Sequence, residues 1–184
     1  MSTTKQLAFA VFIACVLIAP RTHAQSLPAK AKADSPAAVL NSILSDAERD
    51  FVDAAEAMPA NKFEFSPTGG EFSDARSFAG TIKHVIWANS VLAGKITGSK
   101  QPIDQKEIDS LTDRDRILQR LHESFAAAHK AIDSLSSANM LEGGDGRAAR
   151  LGSAAFLTAH TLAHCGELVE YLRMSGIAPP KSWS

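Results

Sequence analysis

Cysteine is nearly absent from this 184-residue chain, which has only Cys15 and Cys165. Two thiols cannot build a disulfide framework, a cysteine-ligated zinc cluster or the Cys-x-x-Cys-His of attached haem. Charge of one sign is lacking too. Lysine and arginine number 19 against 20 aspartates and glutamates, so there is neither an electrostatic footprint for nucleic acid nor a basic face for a membrane surface. No apolar run reaches the ~20 residues of a spanning helix, and the carboxylate ligands of di-iron bundles are missing. Gly143-Gly144-Asp145-Gly146 has the wrong spacing for a phosphate loop and reads as a turn. The chain has no internal repeat, no low-complexity tract and almost no strand-like alternation.

What is present begins with an address. Lys5 is a short positive region, Leu7 to Ala19 an apolar one, and Thr22-His23-Ala24 a small-residue exit before Gln25. Residues 1–24 therefore read as a signal peptide and predict an exported protein, periplasmic or extracellular, with no membrane attachment once the signal is removed. A lipoprotein reading through Cys15 is disfavoured, since Phe12 fits it poorly and the apolar run continues past the cysteine. Removal takes Lys5 and Arg21, leaving 17 basic residues against 20 acidic ones, a formal charge of −3. Cys165 is then the sole cysteine, so no internal disulfide can form. The mature chain, about 160 residues, fits one domain with one core.

Residues 25–34 read as a flexible tether and residues 35–180 as four helices. Ser35-Pro36 supplies an N-cap and a first helical residue, Val39, Leu40, Ile43, Leu44, Ala47, Phe51 and Val52 an apolar stripe, and Pro59 a stop. A second helix is expected from Ser73 or Asp74 to Thr97, ended by Gly98. A third is expected from Thr112 to about Asn139, with Ile117, Leu121, Phe125, Ala128, Ile132 and Leu135 on one side. The last follows the glycine turn, reaches Met174, stops at Gly176 and Pro179-Pro180, and should be the most buried. The links, about 59–72 and 98–111, exceed the ~2–8 residues that join antiparallel neighbours, so at least one should cross the end of the bundle. Lys62-Phe63-Glu64-Phe65 alternates, which reads as a loop pinned by two phenylalanines in preference to a short strand.

A rotation of ~100° per residue places the histidines. His160 and His164, four apart on the last helix, share a face that can point inward, and Glu167 and Tyr171 continue the same strip. His84 sits on a flank of the second helix beside Thr81, Trp87 and Ala88, free to face a neighbouring helix. Imidazoles at i and i+4 can take adjacent positions around one ion, and a third from another helix leaves a fourth position open. The bland alternative is half-buried histidines bonded to carbonyls. His122 and His129 lie at the rim of the third stripe and read as partly exposed, outside any ligand set. Cys165 points ~100° away from His164 and reads as packing, not as a nucleophile. Asn89 interrupts an apolar stripe and needs a hydrogen-bond partner, while Trp87 can shield His84 or meet a partner chain.

Three stretches carry a resemblance. They are Phe72-Ser73-Asp74-Ala75-Arg76-Ser77 followed by Ile82-Lys83-His84-Val85-Ile86-Trp87-Ala88-Asn89, then His160-x-x-x-His164-x-Gly166-Glu167, then Tyr171-Leu172-Arg173-x-x-Gly176-Ile177-x-Pro179-Pro180. Over residues 35–180 the chain resembles the DinB family of four-helix-bundle proteins, which includes the YfiT-like proteins. The resemblance implies an all-α, up-down-down-up bundle holding one divalent ion, zinc or nickel, by His84, His160 and His164. Glu167 departs from the family, where glutamine is commoner. It can take a proton from bound water or hold a ligand imidazole, but a flank carboxylate is ordinarily solvated or paired with arginine, and that is the expectation here.

The resemblance also implies chemistry: characterised relatives use a low-molecular-weight thiol as cosubstrate, which points to a metal-dependent thiol transferase acting on a small molecule. Such thiols are kept mainly in the cytoplasm, and export weighs against that reading. Metal-assisted hydrolysis and non-catalytic capture of a small molecule or metal are the alternatives. A homodimer is expected because related bundles pair.

Overall fold

A computed structural model describes residues 35–67, 74–99 and 103–181. The signal peptide, the tether and the Phe72-Ser73 part of the motif lie outside the described residues. All the regular structure described is helical: α1 (Pro36–Ala57), α2 (Phe78–Thr97), α3 (Gln105–Asp109), α4 (Arg114–Asp133) and α5 (Arg150–Met174), with 3₁₀ turns at Ala60–Lys62 and Gly146–Ala148.

The four long helices form a bundle whose directions can be read from named contacts. Asn41 meets Asp133 near one end of the α1–α4 pair, and Arg114 reaches the carbonyls of Glu56 and Met58 at the other, so this pair is antiparallel. Arg76 and Tyr171, Thr81 and Glu167, and His84 and His160 pair in descending order, which makes α2 and α5 antiparallel as well. Lys62, just past α1, bonds the carbonyl of Ser175, just past α5, so those two helices run the same way. In chain order the long helices therefore run up, down, down, up. The core is shared by all four, with Phe51 of α1 set edge-on to Phe125 of α4 at 6.2 Å.

Local chemistry fixes the ends. Ser35 Oγ accepts the amide of Ala38, as the Ser-Pro start predicts. The second helix begins later than expected, at Ser77, whose Oγ takes the amide of Gly80. The amides of Phe78 and Ala79 are taken by the carbonyls of Phe65 and Phe63, so the link itself caps α2 and Asp74 stays outside. The same bonds pin the Phe63–Phe65 stretch as a loop, with Phe63 buried edge-on against Phe78 at 5.5 Å.

Two further boundaries differ from expectation. The cap of α4 is Asp113, not Thr112, and the helix ends at Asp133, not near Asn139. Ser134 Oγ bonds the carbonyl of Ala131, and Asn139 closes a turn on Ser134 and Ser136. Leu135 is buried without being helical, which is why the apolar stripe overran. The link expected as a plain crossing contains α3, capped by Asp104, with Ile108 buried beneath it. The most buried helix is α2 and not the last one: ten of its 20 residues are buried against ten of 25 in α5.

The start of α5 depends on one glycine. A Cβ at Gly152 would run into the carbonyl oxygen of Gly146 and sit 2.7 Å from Cα of Arg147. Only a glycine lets the 146–148 turn lie so close to the helix.

Candidate metal centre

The antiparallel register of α2 and α5 sets His84 opposite His160 and His164. The Nε2 atoms of His84 and His160 are 3.2 Å apart. Ring centroids are 5.1 Å apart for His84 and His160, 4.9 Å for His84 and His164, and 4.5 Å for His160 and His164. One nitrogen from each ring lies within 4.8 Å of the other two, and all three side chains are half-buried. The three residues expected from the sequence thus converge.

Glu167 is where the expectation fails. It neither faces solvent nor pairs with an arginine. Its Oε2 lies 2.8 Å from Nδ1 of His164, and Oε1 takes the hydroxyl of Thr81 at 3.3 Å. The Tyr171 hydroxyl lies 3.2 Å from both Oε1 and the carbonyl of Arg76. A carboxylate only accepts, so Nδ1 of His164 carries the hydrogen, and Nε2 is the nitrogen that a neutral ring can offer to an ion. The hydrogen bond from His164 is the main cause of a lowered Glu167 pKa, and it outweighs burial. The strip His160, His164, Glu167, Tyr171 was legible as a helix face, but the bond from Thr81 needed the α2–α5 register.

The electrostatics favour neutral imidazoles. Burial first, then the charges of Arg76 and His164, lowers the pKa of His84. Burial first, then His164, His84 and Arg76, brings His160 down to about 4. Two uncharged rings with facing nitrogens form a donor set, not an ion-pair cluster. Two nitrogens ~2.1 Å from one ion at a tetrahedral angle lie about 3.4 Å apart, and they can lie no more than ~4.2 Å apart. The 3.2 Å pair fits that geometry, and the third nitrogen, within 4.8 Å of the other two, needs at most about 1.4 Å of approach to join it. All-nitrogen ligation by three imidazoles suits zinc or nickel better than magnesium or calcium. These residues could therefore hold a divalent ion and leave one position open.

The remaining candidates are elsewhere. His122 is exposed near Glu56 at 3.4 Å. His129 is held between Asn41 at 2.7 Å and Glu48 at 2.8 Å, a clamp between α1 and α4. Cys165 is buried against the α1 side, and burial, reinforced by Asp50 and Asp53, pushes its thiol up to about 12. Asn89 finds its partner in Ser124, 3.1 Å away. Trp87 flanks His84 with ring centroids 6.1 Å apart, and Phe156 flanks His160 at 5.7 Å.

A family model, the DinB superfamily, matches residues 43–168, a span that includes all three histidines and Glu167. No curated protein matches the chain.

Proposed function

We propose, for a chain that belongs to the DinB superfamily, an exported metal-dependent thiol transferase in which His84, His160 and His164 hold one zinc or nickel ion. The observation that carries this reading is the convergence of three imidazole nitrogens from two helices within 4.8 Å. An ion held there by these three residues would supply a Lewis acid to a bound small molecule. The chain's own residues order the three ligands. Glu167 fixes the tautomer of His164, Thr81 and Tyr171 hold Glu167, and the rings of Trp87 and Phe156 flank two of the imidazoles.

Transfer to a thiol is favoured over hydrolysis by what the cluster does not offer. Glu167 is committed to His164, and no other described carboxylate joins the cluster to serve as a base toward water. Cys165 is buried and its thiol stays protonated at neutral pH, so the chain supplies no thiolate of its own. On this reading the nucleophile arrives with a small-molecule cosubstrate. The neutral charge balance gives no support to a nucleic-acid partner.

The test is elemental analysis of protein purified from the exported fraction, followed by thiol and ester panels on the metal-loaded form. Thiol-dependent loss of an electrophile supports transfer. Water-only turnover would establish hydrolysis instead, and ligand retention without turnover a binding protein. Intact amino termini found only in the cytoplasm would remove the export part of the proposal.

A further inference from the structure

Nearly every described arginine is engaged. Arg49 bonds Asp46, Arg114 bonds Asp115, Arg116 bonds Gln119, and Arg120 bonds Glu107 and Glu123. Arg150 bonds Glu142, Arg173 bonds Glu170, and Arg147 lies over the ring of Phe156. Among the described residues, Arg76 is the arginine whose side chain has no acceptor, carboxylate or ring partner, and it is exposed.

Carboxylates are within its neighbourhood. Glu64 accepts from Ser77, the next residue, at 2.9 Å, and Glu167 is joined to Tyr171, whose hydroxyl lies 3.2 Å from the carbonyl of Arg76. Neither pairs with the guanidinium. Its stem lies against the first turn of α2: Arg76 precedes the Ser77 cap, and a Cβ at Gly80, one helical turn before His84, would meet Cβ of Arg76 at 3.4 Å and Cγ at 4.0 Å. The missing side chain at Gly80 leaves room for the arginine stem at the start of the α2 face that carries His84 one turn on. Its charge is felt at His84, His160 and Tyr171.

A cation in that place repels a divalent ion and gains nothing from an ion pair. The arrangement becomes favourable once an anion lies between guanidinium and metal. We propose that Arg76 is the anion anchor of this site, and that the small molecule presented to the three histidines carries a carboxylate or a similar planar oxyanion. The guanidinium fork matches a carboxylate with two parallel hydrogen bonds, which an ammonium does not. The inference rests on the metal reading above and names the substrate class that reading leaves open.

The test loads the full protein with Co²⁺, follows its visible absorption, and titrates two thiols, 3-mercaptopropionate and 2-mercaptoethanol. The wild type should bind the acid about 10-fold more tightly or better, the size expected of a charge-assisted hydrogen bond. Arg76→Ala should lose that preference while cobalt loading and 2-mercaptoethanol affinity stay as they were, and Arg76→Lys should keep only part of it. Equal affinities in the wild type overturn the inference. So does a preference that survives in Arg76→Ala, which would mean that the carboxylate chelates the metal. Cobalt that fails to load overturns the metal reading itself and this inference with it.

Discussion

Nε2 of His84 and Nε2 of His160 lie 3.2 Å apart although the two residues are 76 positions apart in the chain. The pair is one rung of an antiparallel ladder that also contains Arg76 with Tyr171 and Thr81 with Glu167. The two rungs that precede His84 hold Glu167 and its hydroxyl donors in place, so the geometry that brings the ligands together also orients one of them.

Glu167 should matter to metal affinity more than to folding. Glu167→Ala should weaken zinc binding by ~10 to 100-fold, the usual cost of losing a partner that orients a metal-ligating histidine. Glu167→Gln keeps an acceptor for Nδ1 of His164 but loses the charge, and should fall between wild type and alanine. Tyr171→Phe should cost less than either. Competition titration against a chromophoric chelator reads all three, and equal affinities would show that Glu167 does not act on the site.

Acid should destabilise the metal-free protein. The folded-state pKa values of His84 and His160 are lowered, that of His160 to about 4, whereas an unfolded histidine protonates near ~6.5. Below that value the unfolded chain binds more protons than the fold, so stability is full above it, falls as pH drops through 6.5, and for His160 stops falling near 4. The lowered pKa of Glu167 acts the same way at lower pH: its contribution is present above the ordinary carboxylate value and is lost as pH falls through the folded one. Urea midpoints of the metal-free protein should therefore drop between pH 7.5 and 5. A flat or rising midpoint would contradict the burial of these rings.

Gly152→Ala should destabilise the bundle without touching the histidines. The new methyl meets the backbone of Gly146 and Arg147, and overpacking of this kind costs ~1–3 kcal/mol or more. For a chain of this size each kcal/mol lowers the thermal midpoint by about 2–4 °C. A midpoint equal to wild type would mean that the 146–148 turn moves aside freely.

Cys165 should be silent toward thiol reagents in folded protein prepared without residues 1–24. It is buried and its thiol is held up to about 12, and reactivity needs an accessible thiolate. Ellman's reagent should react only on unfolding, and fast labelling under native conditions would reverse the assignment of this residue to packing.

The sequence carried the helices where period and caps agree, as at Ser35-Pro36 and at the Gly98 end of α2. It misled where an apolar residue outlasts its helix: Leu135 extends the α4 stripe, but Ser134 and Asn139 turn the chain first. The α2 start was illegible locally because its first amides bond Phe63 and Phe65 across the link. His160 and His164 follow from helical spacing alone. His84 entered through family resemblance and is placed by packing. The bonds of Glu167 to His164 and Tyr171 are between neighbours on one helix face, but the Thr81 hydroxyl that also holds it comes from α2, and helix rotation alone does not supply that register.

The central claim, that three histidines hold one divalent ion, is tested most directly by an equilibrium zinc titration of wild type beside His84→Ala, His160→Ala, His164→Ala and His122→Ala. The account predicts one ion per chain in wild type, an affinity at least ~100-fold weaker in each of the first three, and no change in the fourth, since losing a ligand should cost at least what losing its orienting partner does. An affinity that His84→Ala leaves unchanged would contradict a site shared between α2 and α5.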